Sequence, residues 1–503
     1  MSIVSSIYSQ WERSGNKLES HKHLRIILSN LTGLFAITAA VMALMIVVCL
    51  VLNEAYAAPG FIVTLVLSGG LALVLKILFP HAEELELRHA MLVAAIAYLA
   101  VPAVSVFPFL MVEQMPLVDA VFESVSGWTC TGMTMISYPE NSSHTIQLYR
   151  SIMEWIGGIG VILLMVTILI RPGTSTYLMY RSETRKDRIM PSIQSTLKMI
   201  WFLYLILTVA GVILLLFAGM PIWDSINHSM TAIGTGGFSI YSDGIAHYNS
   251  FPIEIVTMVL MIIGALPFIF IFKIIKDPKS VLNFDSEVKA YFFILFIGAV
   301  LVTAENFLHF GNLMGTFRHS VYLFVSCLTT GGLQTSNLTG WSYTSLLIMS
   351  IAAIIGGCAG STTGGLKVAR AMFLYTQFRL WLKRTLLPRN AIVTIKIGNK
   401  RLEDDVITKE LSESALILFL YLIAILISVM ILSHLVDPAK YDLCQIIFSV
   451  CSAQGNVGIQ NDLINPAMSS IGKVLLMINM WLGRLEIIPV LLLLRALLKG
   501  FKV

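Results

Sequence analysis

The chain has 503 residues, 56% of them hydrophobic and only 13% charged, with a net charge of +5. A water-soluble domain carries about 25% charged residues, so a soluble enzyme or a nucleic-acid-binding protein is excluded in favour of a chain that lives largely in lipid. The six cysteines, Cys49, Cys130, Cys327, Cys358, Cys444 and Cys451, have no paired spacing and fall mostly in apolar segments; neither a disulfide framework nor a metal site is implied.

Residues 1–23 are polar and are placed at the surface. Apolar runs follow at 24–52 and 60–79, joined by the turn Asn53–Pro59. The first exceeds the roughly 20 residues that cross a bilayer and has no small-residue cleavage site behind it, so it is expected to be a retained helix, not a signal peptide. After the acidic link His81-Ala82-Glu83-Glu84, one pattern recurs four times: a long apolar run, a shorter hydroxyl- and glycine-rich stretch, and a second long run. The spans are 89–110, 117–136 and 146–170; then 196–218, 221–240 and 252–275; then 288–308, 316–336 and 343–376; then 412–436, 441–461 and 469–498. The links Arg171–Ser195 and 377–411 are basic, and Asn390–Arg401 reads as a short hairpin. The expected fold is an all-α polytopic membrane protein of about ten transmembrane helices. Domains are placed at 1–88, 89–172, 173–276, 277–378, 379–411 (a cytoplasmic linker) and 412–503.

The short stretches carry the first functional signal. Aligned on a central glycine they read Cys130-Thr131-Gly132-Met133, Gly234-Thr235-Gly236-Gly237, Thr329-Thr330-Gly331-Gly332 and Asn456-Val457-Gly458-Ile459. An apolar residue stands ten positions before each glycine: Phe122, Ile226, Val321 and Phe448. Irregular backbone at membrane depth is tolerated only where it is packed in protein or lines a wet cavity. Backbones of this kind can turn carbonyl oxygens toward a shared axis, where rings of carbonyls replace an ion's hydration shell. Thr129 to Gly132, Gly234 to Gly236, Thr329 to Gly331 and Asn456 to Gly458 are therefore the candidate cation ligands.

Two further features stand out. Gly356, Gly357, Gly360, Gly364 and Gly365, with Ser361, Thr362 and Thr363, interrupt the apolar span 343–376. Each glycine costs a helix about 1 kcal/mol, so a break is expected there, with Lys367 and Arg370 directly after it. Arg484 lies near the middle of the last span, where a charge is costly and is normally directed inward. Glu486, two residues on, would face nearly the opposite way on a helix, so Arg484 is expected to project into a pore as a barrier to cations, the alternative being a buried ion pair with another helix. Arg150 and Glu154, four apart, read as an ordinary helix pair.

The four loops, Gly356-Gly357-Cys358-Ala359-Gly360-Ser361-Thr362-Thr363-Gly364-Gly365-Leu366-Lys367 and Gly483-Arg484-Leu485-Glu486-Ile487 together resemble the superfamily of K+ transporters that includes TrkH and KtrB in bacteria and HKT in plants. The likeness runs from about residue 89 to the end, and the two extra N-terminal spans resemble the TrkH branch. It implies four helix–pore loop–helix repeats around one central pore, a filter glycine from each repeat, and homodimers of one-pore subunits. It makes the glycine-rich break an intramembrane gate, and it implies a cytosolic TrkA-like partner that binds NAD(H) or ATP/ADP. This chain has no dinucleotide fingerprint of its own, so no organic cofactor is expected in it. In the plant relatives a serine at the first-loop glycine goes with Na+ preference; glycine at all four positions implies K+. Cys130, where threonine is more usual, and Asn456-Val457 depart from the pattern.

The function expected is K+ uptake across a bacterial inner membrane, the alternative being a Na+-permeable or Na+- or H+-coupled relative. A membrane enzyme is disfavoured, since His228, His309 and His319 are scattered without ligand spacing. Basic residues such as Arg13, Arg25, Arg88, Arg181 and the cluster Arg379–Lys409 gather on one side, against Arg150, Arg318, Lys440 and Lys473 on the side of the loops. Both termini are expected in the cytoplasm. Asp119, Glu123, Asp224, Asp243, Asp442 and Asp462 lie on the loop side, either as a cation-concentrating mouth or as solvated loop residues.

Overall fold

Apolar segments in hydrocarbon must pair their own backbone N–H and C=O groups, and helices do so within one segment. The computed structural model describes residues 2–80, 86–169, 193–277, 285–310, 313–338, 340–386, 396–397, 400–401 and 404–499. Its helices are α1 (Ser2–Val51), α2 (Ala58–Leu78), α3 (Leu87–Val104), α4 (Phe107–Met111), α5 (Leu117–Trp128) and α6 (His144–Leu169). There follow α7 (Ile193–Phe217), α8 (Ile222–Gly234), α9 (Phe251–Gly264), α10 (Phe268–Lys276), α11 (Ser286–Phe310) and α12 (Leu313–Leu328). The last are α13 (Tyr343–Ile355), α14 (Val368–Leu386), α15 (Asp404–Leu435), α16 (Leu443–Gln454), α17 (Ser470–Arg484) and α18 (Ile488–Lys499). The expected hairpin is present as the antiparallel pair Lys396–Ile397 and Lys400–Arg401; its residues 390–395, nearly all of Arg171–Ser195 and the link His81–Glu84 lie outside the described residues.

Among the described residues, six helices are long and apolar enough to cross a membrane, or eight if each broken pair is one span. Their outward faces are apolar: Phe217 is 86% exposed, Val51 73% and Phe296 68%. Such surfaces are out of place in water and match lipid. The interior is the reverse, with Thr131, His228, Ser229, Thr235, Glu154 and Asn456 all at 0% exposure. The protein is an all-α polytopic membrane protein with a polar interior.

Two compact units are present, and their boundary falls within α5. In the unit formed by residues 1–125, 143–146 and 487–503, α1 packs on α2 and α3, α2 on α4, and α18 on α3. The unit formed by residues 126–142 and 147–486 repeats one module three times: α7–α8–α9, α11–α12–α13 and α15–α16–α17. In each, the middle helix packs on both neighbours, and α9 on α12 and α13 on α16 join successive modules.

Two spans expected to be continuous are broken. Between α9 and α10 the chain turns by 103° at Ala265–Pro267. Pro267 has no N–H to continue the ladder and disfavours helical geometry in the residue before it. The second break separates α17 from α18, where Glu486 and Ile487 both adopt positive φ, 55° and 69°. Left-handed backbone at two residues with Cβ atoms, one of them β-branched, costs about 1–3 kcal/mol each and persists only when the surroundings hold it.

Candidate ion pathway

Each of the four short helices ends in one motif. The residue at its end has positive φ: Cys130 (51°), Thr235 (49°), Thr330 (50°) and Asn456 (53°). The next amide folds back five residues: Thr131 N to Ser126 O and Gly236 N to Thr231 O at 2.9 Å, Gly331 N to Ser326 O and Val457 N to Ser452 O at 2.8 Å. This left-handed cap satisfies the orphan carbonyls of a helix end. The next residue again has positive φ, and it is glycine every time: Gly132 (79°), Gly237 (105°), Gly332 (71°) and Gly458 (89°).

This backbone pattern corrects the sequence register by one residue in the second and third loops. Gly132 corresponds to Gly237 and Gly332, and Thr131 to Gly236 and Gly331. Gly236-Gly237 and Gly331-Gly332 are doubled glycines, so composition alone could not choose between them; the cap geometry does.

The four glycines form a closed ring. A Cβ on Gly132 would overlap Gly236 O and lie 2.7 Å from Gly237 Cα. One on Gly237 would lie 2.9 Å from Gly332 Cα and 3.4 Å from Gly331 O. One on Gly332 would overlap Val457 O, and one on Gly458 would overlap Thr131 O. Each repeat's carbonyl thus abuts the preceding repeat's glycine, in cyclic order, with no room for a side chain between them. Over the ring lies a cavity of about 150 Å³ whose lining includes all four glycines together with Thr134, Arg150, Gln334 and Gln460. Thr129, one residue before the cap, bonds through its hydroxyl to that of Thr131 at 2.8 Å, and Gly234 is the last residue of α8.

The departures Cys130 and Asn456 are built into this frame. Cys130 Sγ donates to Glu154 O at 3.0 Å. The Asn456 side-chain amide donates to Thr131 Oγ1 and to Met480 O, both at 2.9 Å.

The glycine-rich segment leaves the helix where the sequence places the break. Gly356 ends α13 at φ 69°, ψ −160°, a conformation essentially closed to residues with a Cβ. Residues 356–367 then lie on the helix side of the ring, opposite the cavity. Thr362 Oγ1 sits 3.1 Å from Ile233 O and 3.0 Å from both Gly264 O and Thr235 Oγ1. Gly364 N donates to Thr330 Oγ1 at 3.0 Å, and a Cβ on Gly364 would lie 2.8 Å from Asn456 Cβ. Glu287, in the first turn of α11, accepts from Ala359 N at 2.7 Å. Ser361 Oγ donates to Cys358 O, and Gly360 O accepts from Phe268 N at 3.2 Å. Gly357 O accepts from Val368 N at 2.9 Å, and Gly365, at φ 74°, packs against Gly356.

Cationic side chains hold the segment's carbonyls. Lys367, only 4% exposed, bonds through Nζ to the carbonyl and hydroxyl of Thr363. Arg484, 2% exposed, donates from Nη1 to Thr362 O at 3.0 Å and from Nη2 to Gly157 O at 2.9 Å. Arg370 donates to Leu366 O at 2.9 Å and forms an ion pair with Glu486. The expected opposition of Arg484 and Glu486 across one helix does not arise, because α17 ends at Arg484.

Sequence reasoning missed the role of Glu154 and Arg150, read there as an ordinary helix pair. Both are buried, and both reach the second loop: Phe238 N lies 3.1 Å from each Glu154 carboxylate oxygen, and Arg150 Nη1 donates to Ser239 O at 2.9 Å. The available signal was two ionisable residues inside an apolar span, a functional marker by default. Three of the six loop-side acids differ from the solvated reading. Asp119 and Asp224 are 5% exposed and Glu123 is fully buried. Asp224 accepts from Tyr248 OH at 2.7 Å, and Asp442 caps α16. Asp119, Glu123 and Asp224 are thus buried acids, while Asp243, Asp442 and Asp462 are exposed, in keeping with solvated loop residues.

A family model described as TrkH, cation transport protein, matches residues 57–500. The chain is 33% identical over 413 residues to an uncharacterized cation transporter of Methanocaldococcus jannaschii, covering 82% of this chain and 83% of that one. It is 30% identical over 422 residues to the Trk system potassium uptake protein TrkH of Escherichia coli, covering 82% and 86%. The crystal structure of the potassium transporter TrkH from Vibrio parahaemolyticus superposes with a TM-score of 0.80 at 27% identity, over 94% of this chain and 98% of that one. With four capped loops closing one ring inside a lipid-facing bundle, the chain belongs to the TrkH family of cation transport proteins and is a membrane transporter rather than an enzyme.

Proposed function

We propose that this protein takes up K+ across a bacterial inner membrane, passing the dehydrated ion through the ring bounded by Thr131, Gly236, Gly331 and Val457. The observation that carries this is the cyclic contact of four loops, each presenting a carbonyl beside its neighbour's glycine. Carbonyl rings suit K+, and four helices ending at the ring favour a cation there through their dipoles. The relatives named as potassium uptake proteins point the same way. The segment 356–367 is the gate, and Arg484 is a charge barrier on the same side of the ring. Control by a cytosolic TrkA-like nucleotide-binding partner fits the Trk system named for the relatives, and the functional unit is a homodimer.

Uptake of 86Rb+ into vesicles holding the purified protein tests the reading. Uptake competed by K+ far better than by Na+ is expected; equal competition, or uptake that tracks Na+, would replace it with a Na+-permeable or coupled transporter. Orientation, with both termini cytoplasmic, rests on the basic-residue asymmetry. A single cysteine at Asn141 should react with an impermeant thiol reagent on whole cells, and one at Asn390 should not; the opposite pattern inverts the topology.

A further inference from the structure

The ring is not electrically uniform. α6 carries Arg150 and Glu154 one turn apart, at 1% and 0% exposure. The Glu154 carboxylate lies flush behind Gly236: a Cβ on that glycine would overlap it. Both carboxylate oxygens are 3.1 Å from Phe238 N, so the second loop is gripped on either side of Gly237. The Arg150 guanidinium lies 4.1 Å over the Phe238 ring, donates to Ser239 O, and lines the cavity. The negative end of the pair is therefore at the ring and the positive end toward the mouth. Met261 takes the corresponding place behind Gly331, with its Cγ 2.7 Å from where a Cβ would be. In the other two loops the ring position carries its own side chain, Thr131 or Val457.

We infer that Glu154 is a specificity-determining positioning residue: it sets the second loop's carbonyl at the ring and adds a fixed negative charge behind it, so that K+ is bound and chosen asymmetrically, chiefly at the Gly236 edge. This inference rests on the K+ pathway proposed above. A backbone N–H shared between the two oxygens of a carboxylate is a charge-assisted contact, stronger than one to a neutral acceptor. In a buried site the field of one carboxylate is screened far less than in water. The two contributions can be separated. Glu154→Gln keeps an acceptor for Phe238 N–H and removes the charge; Glu154→Asp keeps the charge and withdraws it from the amide.

The experiment is 86Rb+ uptake into vesicles by wild type, E154Q and E154D, with K+ and Na+ as competitors and melting temperature in detergent for each. E154Q should raise the apparent KM for Rb+ by about tenfold, the effect of one nearby charge in a partly screened site, with a smaller change in maximal rate. E154D should keep most of that affinity and lose Na+ discrimination by several-fold. Wild-type KM and wild-type Na+ competition in a well-folded E154Q would overturn the inference. If E154Q does not fold, E154D decides: unchanged Na+ discrimination overturns it. Absence of Rb+ uptake by the wild type would instead remove the K+ reading itself, so the two failures are distinguishable.

Discussion

Asn456 donates its side-chain amide to the hydroxyl of Thr131, 325 positions earlier in the chain, at 2.9 Å. This bond links the fourth loop to the first and closes the ring that the glycines form. The second bond from the same amide, to Met480 O, ties the junction to α17. Asn456→Ala removes both bonds while Thr131 keeps its hydroxyl bond to Thr129, a net loss of about 0.5–1.5 kcal/mol for each bond. We expect a lower melting temperature in detergent and weaker protection by K+ than in wild type. An unchanged melting curve with unchanged K+ protection would show that the ring closes without this bond.

Gly132→Ser places a Cβ where Gly236 O already sits, at a φ of 79° that disfavours any side chain. The first and second loops must part, which widens the ring on one side and introduces a hydroxyl. K+ over Na+ discrimination should fall in Rb+ uptake competed by each ion. Gly132→Ala imposes the same strain without the hydroxyl and separates geometry from ligand chemistry. A folded Gly132→Ser protein with the wild-type competition profile would remove Gly132 from the filter.

Arg484 holds the glycine-rich segment through Thr362 O, and the proposed charge barrier is tested by replacing it. Arg484→Ala removes donors from Thr362 O and Gly157 O, which loosens that segment and takes a charge from the helix side of the ring. Flux per folded molecule should rise several-fold, with Arg484→Lys intermediate because a lysine keeps the charge but not the forked geometry. If flux and melting temperature fall together, Arg484 is a structural residue and the barrier assignment fails.

Much of this architecture is local in the sequence and was legible there. Hydropathy located the spans, and the five glycines among residues 356–365 located the break, because both signals are carried by adjacent residues. The register at Gly236-Gly237 was not legible, since two neighbouring glycines look alike until a helix cap decides between them. The turn at Ala265–Pro267 was hidden because the apolar run continues through it. Glu154 was misjudged for a different reason. Its spacing from Arg150 fits any helix pair, and only the folded chain brings Phe238 N–H, 84 residues away, to its carboxylate.

The glycine-rich segment is pinned from several sides, by Glu287, Thr235, Thr330 and Arg484. Shortening Gly357–Gly364 by a few residues removes the part that touches the underside of the ring. Ion flux per molecule should increase, and control by a cytosolic partner should weaken. Should flux merely follow protein abundance, with partner control intact, the segment is a packing kink and not a gate.

The central claim is that the carbonyls of Thr131, Gly236, Gly331 and Val457 jointly bind a dehydrated monovalent cation. Crystals grown in Rb+ test it most directly, by anomalous scattering at the rubidium edge. The account predicts a peak on the axis within the ring, abolished or displaced when Na+ replaces Rb+. A well-ordered ring with no anomalous peak, or rubidium found only in the cavity above it, would contradict the account.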